Sequence, residues 1–292
     1  MGLTTSQAIQ PPAQRMSLVS GTDAGQTFQI ISSLRYDPCL AEAVAYNADN
    51  YPDPKNSPYY LLAYHRDRLI AAAHHFGWKD ASNWLQRDLE SFESFLDESI
   101  PDRSKPWRLR IVVDVNGKGS VDVNPTAMID PLNLLIPSHT SSTPPVWRVY
   151  IDSQHILPSG FTTHKTTARD NYTAARLRAG INSPAETAEV LLINPKGEVM
   201  EGSITTPYFR RRRPNSMPSG QNSAEPAWIT PPLSSGGNAG TSRRYALSQG
   251  FCMEQTIFKE DLVDGEECWL SNGVRGFMLG VVVLNHESKA QS

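Results

Sequence analysis

The chain has 292 residues, 39% of them hydrophobic and 20% charged, with a formal net charge of −3. That length accommodates one large domain or two ordinary ones, and that charge gives no electrostatic ground for binding nucleic acid or an anionic membrane. The longest apolar run, Phe277 to Leu284, is too short to span a bilayer, and three widely spaced cysteines (Cys39, Cys252, Cys268) point to a reducing, cytoplasmic setting without disulfides or metal-ligand spacing.

Taken in chain order, residues 1–24 read as a disordered tail, rich in Thr, Ser, Gln and Pro and without the apolar core of a signal peptide. "MGLTTS" matches the N-myristoylation pattern at Gly2, although one acyl chain anchors only marginally. "QTFQIISSLRYDP" predicts a first strand stopped by Pro38. "LLAYHRDRLIAAAHHFGW" predicts a helix ended by Gly77, and "DASNWLQRDLESFESFLDES" a second, with Trp84, Leu85, Leu89, Phe92 and Phe95 along one face. "WRLRIVVDVNGKGSVDV" predicts a β-hairpin around Asn116-Gly117. These elements make a small α+β domain over 25–135, and the Pro/Ser/Thr-rich stretch 136–146 reads as a linker.

A larger domain, 147–292, opens with the strand "VWRVYID" and a helix from about Asp170 to Ala179. "AEVLLINPKGEVMEGSITTPYFRRR" predicts strand, turn and strand, and the polar stretch before "WITPPL" an exposed loop between two strands of a hairpin. "GTSRRYALSQGF" predicts a Gly-led helix, and "EECWLSNGVRGFMLGVVVL" a strand, a polar turn and an apolar strand.

Four groups can carry chemistry, each with an ordinary reading beside it. Lys165 is a candidate nucleophile if burial and the neighbouring His164, Arg169, Arg176 and Arg178 lower its pKa; otherwise it is a solvated cation. Glu201, where an apolar strand turns polar, is either a buried acid needing a partner or a strand-edge acid in water. Thr241 and Ser242 open a helix, as phosphate ligands or plain caps, and the turn "LSNGVRG" with Asn272 and Gly273 completes an anion cup or is only a turn. Arg68 in "HRDRL", at the start of a helix, is a phosphate-binding guanidinium or a surface arginine paired with Asp67 or Glu90.

The order of these groups, carried by "HRDRL", "HKTTARDNYTAARLRAG", "LLINPKGEVMEGSITTPYF", "GTSRRYALSQGF" and "EECWLSNGVRGF", resembles the fold-type IV pyridoxal-phosphate enzymes, the class IV aminotransferase family. Within it the chain is most similar to the fungal aminodeoxychorismate lyases. The resemblance implies a two-domain α+β (α/β) fold and a homodimer with its active site near the interface. It implies pyridoxal 5'-phosphate as cofactor, with Lys165 bonded to the aldehyde and Glu201 paired with the ring nitrogen. Arg68, Thr241, Ser242, Asn272 and Gly273 then lie around the phosphate. The activity implied is release of pyruvate from 4-amino-4-deoxychorismate to leave 4-aminobenzoate, a folate precursor. An aminotransferase acting on D- or branched-chain amino acids and a non-catalytic binding protein are the alternatives. Arg35, Arg169 and Arg275 are the candidates for meeting the substrate carboxylates. Two departures stand out: Thr205-Thr206-Pro207 occupies a stretch where many members carry Asn, and the 210–226 loop is long. Its run Arg210 to Arg213 lacks interleaved aromatics and reads as a solvated hairpin tip.

Overall fold

The computed structural model describes residues 27–137, 146–183, 185–211 and 227–284. The expected N-terminal tail, its acylation pattern, residues 138–145 of the expected linker and residues 212–226 of the long loop lie outside the described residues.

The first sheet is antiparallel, in the order β1 (Ile30–Tyr36), β2 (Trp107–Val113), β3 (Gly119–Pro125). Between β1 and β2 run four helices: α1 (Leu40–Asn47), α2 (Leu62–His75), α3 (Lys79–Leu85) and α4 (Leu89–Asp97). The β2–β3 turn follows the Asn-Gly expectation. Gly117 has φ +76°, and a Cβ there would sit 2.7 Å from the Asp80 carbonyl oxygen, so glycine meets both the backbone angle and the close approach. One face of the sheet packs Ile30, Leu34, Leu109, Ile111 and Val113 against Leu69, Ala72, Leu85, Phe92 and Leu96 of the helices.

Two expectations are corrected here. The predicted single helix over 80–99 is two helices, because Asp88 adopts an extended conformation and its carboxylate accepts the Ser91 N–H at 2.7 Å, restarting the helix with a cap. The apolar face survives the break: Leu85, Phe92 and Leu96 are all buried in one cluster. Arg68 does not start a helix. It lies in the interior of α2, which begins at Leu62 after Leu61 takes a left-handed conformation.

The second sheet has eight strands in the order β6-β5-β4-β11-β10-β7-β8-β9. Its elements in chain order are β4 (Trp147–His155), α5 (Gly160–Thr163), α6 (Asp170–Arg178), β5 (Ala188–Ile193), β6 (Val199–Gly202), β7 (Thr206–Arg211), β8 (Ala227–Thr230), α7 (Thr241–Ser248), β9 (Cys252–Glu254), β10 (Glu267–Asn272) and β11 (Gly276–Val282). The sheet is mixed: β4 runs parallel to β5 and β11, and β8 to β9. The predicted strand after the Pro195–Gly197 turn divides at Ser203–Thr205 into β6 and β7, which are far apart in the sheet. β7 and β8 form the expected hairpin.

The sheets are joined by β1. One edge of β1 pairs with β2; along the other, the Ile31 N–H donates to the Lys165 carbonyl at 2.9 Å and the Arg35 N–H to the Gly273 carbonyl at 3.0 Å. A core of Leu40, Tyr60, Leu134, Tyr208, Tyr245 and Phe277 fills the junction. Among the described residues no helix is long and apolar enough to cross a membrane, and no cluster of His, Cys, Asp and Glu could hold a metal.

Candidate active site

Lys165 follows α5 in an extended segment, its backbone held by β1 through Ile31 and by an Ile30–Thr166 bridge. Burial, then the Arg169 and Arg68 guanidinium groups, push its amine well below the usual lysine range. Glu201 projects from β6. Its Oε1 accepts the Tyr172 hydroxyl at 2.6 Å, and the Asn238 backbone N–H also donates to it. Burial nonetheless raises its carboxyl above the ordinary value. Arg169 lies 3.9 Å from the centroid of the Tyr172 ring and donates to the Ser203 carbonyl at 2.5 Å. Lys165 and Glu201 both retain partial solvent access, which suits groups lining a ligand cavity.

Arg68 reaches from α2 with its Nη2 2.5 Å from the Ser32 hydroxyl of β1. Its Nε is buried with no hydrogen-bond partner among the described residues, and burial lowers its pKa to about 10. Asp67 is paired with Arg244 instead, at 2.6 Å. Thr241 and Ser242 begin α7 and are buried. Gly240, in the cap position, offers no side-chain acceptor to the first turn. Thr241 Oγ1 is 3.2 Å from His65 Nε2, and Ser242 Oγ accepts from Ser271, which in turn meets the Tyr208 hydroxyl. Asn272 ends β10 and spends its side chain on two turns: Oδ1 accepts the Val274 and Arg275 N–H groups of its own, and Nδ2 donates to the Ile204 carbonyl of the turn between β6 and β7. Gly273 leaves room for His65, since a Cβ there would be 2.5 Å from the imidazole Cε1.

Lys165, Glu201, Arg68, Thr241 and Gly273 therefore gather in two linked sets, while Ser242 and Asn272 spend their side chains on Ser271 and on the 204 and 274–275 backbone. Lys165 and Glu201 stand together with Arg169. Arg68, Thr241 and Gly273 stand together around Ser32 and His65, and the Arg68 charge acts on both Lys165 and Glu201. Of the three arginines considered for substrate carboxylates, Arg35 is unavailable: 1% exposed, it is ion-paired with Asp37 at 2.7 Å and bonded to the Ala127 carbonyl. Arg169 lies in the site, and Arg275 sits over the Trp147 ring. In the arginine run, Arg211 is ion-paired with Glu266 rather than free.

Sequence reasoning missed Glu189, Tyr172 and His65. Glu189 is fully buried at the start of β5, and its carboxylate gathers the Ser203 N–H (2.9 Å), the Ile204 N–H (3.1 Å) and the Ser203 and Thr205 hydroxyls (2.5 and 2.7 Å). The turn after Glu201 is tied by Thr205 to that acid. An acid opening the apolar run "EVLLI" was the available signal.

A family profile described as amino-transferase class IV matches residues 53–280. The chain is 36% identical over 146 residues to the aminodeoxychorismate lyase of Saccharomyces cerevisiae, a match covering 47% of this chain and 37% of that protein. It is 27% identical over 237 residues to a Schizosaccharomyces pombe protein provisionally named as an aminodeoxychorismate lyase, covering 80% of this chain and 88% of that one. Among solved structures, a provisionally named amino-acid aminotransferase from Mesorhizobium loti superimposes with a TM-score of 0.62 at 21% identity, covering 88% of this chain and 100% of the other.

Proposed function

The chain belongs to the class IV aminotransferase family, and from that premise we propose that it is a pyridoxal-phosphate-dependent carbon–oxygen lyase converting 4-amino-4-deoxychorismate to 4-aminobenzoate and pyruvate. The observation that carries the family chemistry is the juxtaposition of a half-buried lysine of depressed basicity, a half-buried carboxylate and a guanidinium whose buried Nε–H has no partner among the described residues. Similarity to one fungal lyase and to a second fungal protein provisionally named as one favours elimination over amino transfer.

The residues fit the cofactor. Lys165 would hold its aldehyde carbon, Glu201 would accept a hydrogen bond from its ring nitrogen, and the unpartnered Arg68 Nε supplies a donor for its phosphate beside the uncapped start of α7. When bound, the cofactor supplies a protonated pyridine that draws off the electrons released at the substrate's amine-bearing carbon.

The chain's own residues do the rest. Lys165, kept neutral by burial and by Arg169 and Arg68, takes the proton from that carbon as a general base. Glu201, oriented by Tyr172, holds the ring-nitrogen proton in place. The carbon–oxygen bond to the enolpyruvyl group breaks, the ring becomes aromatic, and the departing three-carbon unit gains one proton to become pyruvate, so atoms balance. Arg169, at the Lys165–Glu201 cluster, is placed to meet a substrate carboxylate.

Incubating the purified protein with enzymatically prepared 4-amino-4-deoxychorismate tests this. The expected result is equal amounts of 4-aminobenzoate and pyruvate from the wild type and neither from Lys165→Ala. No product there, with amino transfer from D-alanine or a branched-chain amino acid to 2-oxoglutarate, overturns the lyase reading in favour of an aminotransferase.

A further inference from the structure

We propose that His65 is a positioning residue for the cofactor phosphate: held neutral in one tautomer between Ser32 and Thr241, it turns the Thr241 hydroxyl hydrogen toward the bound anion. The inference rests on the cofactor reading above.

His65 lies in α2 and is fully buried, as is Ser32. Ser32 Oγ is 2.5 Å from Arg68 Nη2, which can only donate. Ser32 therefore accepts there and has one hydrogen of its own to give. His65 Nδ1, at 2.7 Å, is the acceptor within reach. With the hydrogen on Nδ1, Ser32 Oγ would accept twice and its own hydrogen would have no acceptor among the described residues, a buried donor left unmatched at a cost of about 1–3 kcal/mol. Nδ1 is thus the accepting nitrogen and Nε2 carries the ring hydrogen, which it donates to Thr241 Oγ1 at 3.2 Å. Burial, then the Arg68 guanidinium, disfavours the imidazolium, which would break this order. Thr241 then accepts from His65 and keeps its own hydrogen for a further acceptor at the start of α7.

The relay therefore runs in one direction, Arg68 to Ser32 to His65 to Thr241, and spans 176 residues of sequence between its last two members. It connects the guanidinium with the orphaned Nε to the first residue of the uncapped helix, and both would face the same anion. Gly273 is part of the fit, because any larger residue there would displace the imidazole.

The test titrates the full-length apoprotein with pyridoxal 5'-phosphate and, separately, with pyridoxal, which lacks the phosphate; borohydride trapping and mass spectrometry read occupancy. In His65→Asn the side chain still meets Ser32 but is too short for Thr241. It should weaken binding of the phosphate ester about 10- to 100-fold and leave pyridoxal within about two-fold. His65→Gln, which presents an N–H where Nε2 stood, should recover most of the loss. Thr241→Val should reproduce the phosphate-selective loss, and adding His65→Asn to it should cost nothing more. Equal weakening of both ligands, or additive losses in the double variant, overturns the proposal, and Thr241→Val with the Gln variant decides the matter even should the Asn variant misfold. A wild type that binds neither ligand refutes the cofactor reading itself, a different outcome from a wild type that binds and a His65 variant that binds equally well.

Discussion

Glu189 and Glu201 lie on adjacent strands, yet the protein treats the two carboxylates in opposite ways. Glu189 is saturated: three backbone N–H groups, from Val190, Ser203 and Ile204, and two hydroxyls donate to it, with Arg176 3.8 Å away. Glu201 receives one tyrosine hydroxyl and one backbone N–H, and burial pushes its carboxyl up. A fully satisfied buried acid is scaffold. One left short of donors, beside two guanidinium groups and an amine of depressed basicity, holds capacity that only a ligand completes. The two are coupled through the turn that Glu189 ties, because Ser203 presents its carbonyl to Arg169 and Ile204 presents its own to Asn272.

The largest way to sharpen that contrast is to remove the amine. Lys165→Ala should lower 4-aminobenzoate formation by at least about 10⁴-fold, more than 5 kcal/mol of barrier, in a coupled assay with purified substrate. Next, Glu189→Ala should destabilise the fold by about 3–5 kcal/mol, seen as a fall in denaturant midpoint, because Arg176 and the turn N–H groups lose their partner. Glu201→Gln should do the reverse: roughly 100-fold slower turnover with no loss of thermal stability. A Glu201→Gln protein that melts as low as Glu189→Ala would break the contrast.

A smaller effect tests the strain at the site. The Lys165 amine is depressed by burial in the folded chain, so stability conferred on the apoprotein is lost as pH falls from about 10.5, the unfolded value, through the folded one. Apo Lys165→Met should therefore melt several degrees higher than apo wild type near neutral pH, at about 2–4 °C per kcal/mol. The gap should close as pH rises toward 10.5. Smallest of all, Thr205→Val removes one donor from Glu189 and should cost about 1 kcal/mol in chemical denaturation with turnover unchanged.

Much of this architecture is readable from local pattern. The Asn116-Gly117 hairpin and the α2 and α6 helices depend on neighbours in sequence, whereas Lys165 and Glu201, 36 positions apart, stand out only through the order of motifs along the whole chain. The break at Asp88 is harder, since the apolar face continues through it and only the cap betrays the restart. Arg35 was misjudged although its partner, Asp37, stands two residues away. His65 and Glu189 could not be assigned from pattern, because their partners come from other elements: Thr241 is 176 positions from His65, and the turn at 203–205 reaches Glu189 only once β5 and β6 pair.

The double pairing of β1 has a practical corollary for fragment work. That strand gives one row of amides to β2 and amides of the other row to the Lys165 segment and the Gly273 turn of the second half, so neither half owns a complete set of hydrogen bonds. Two polypeptides made by severing the chain ahead of β4 should each be poorly soluble alone and should regain structure only when mixed, and the Ile31 and Arg35 amides should exchange with solvent together, as one cooperative unit.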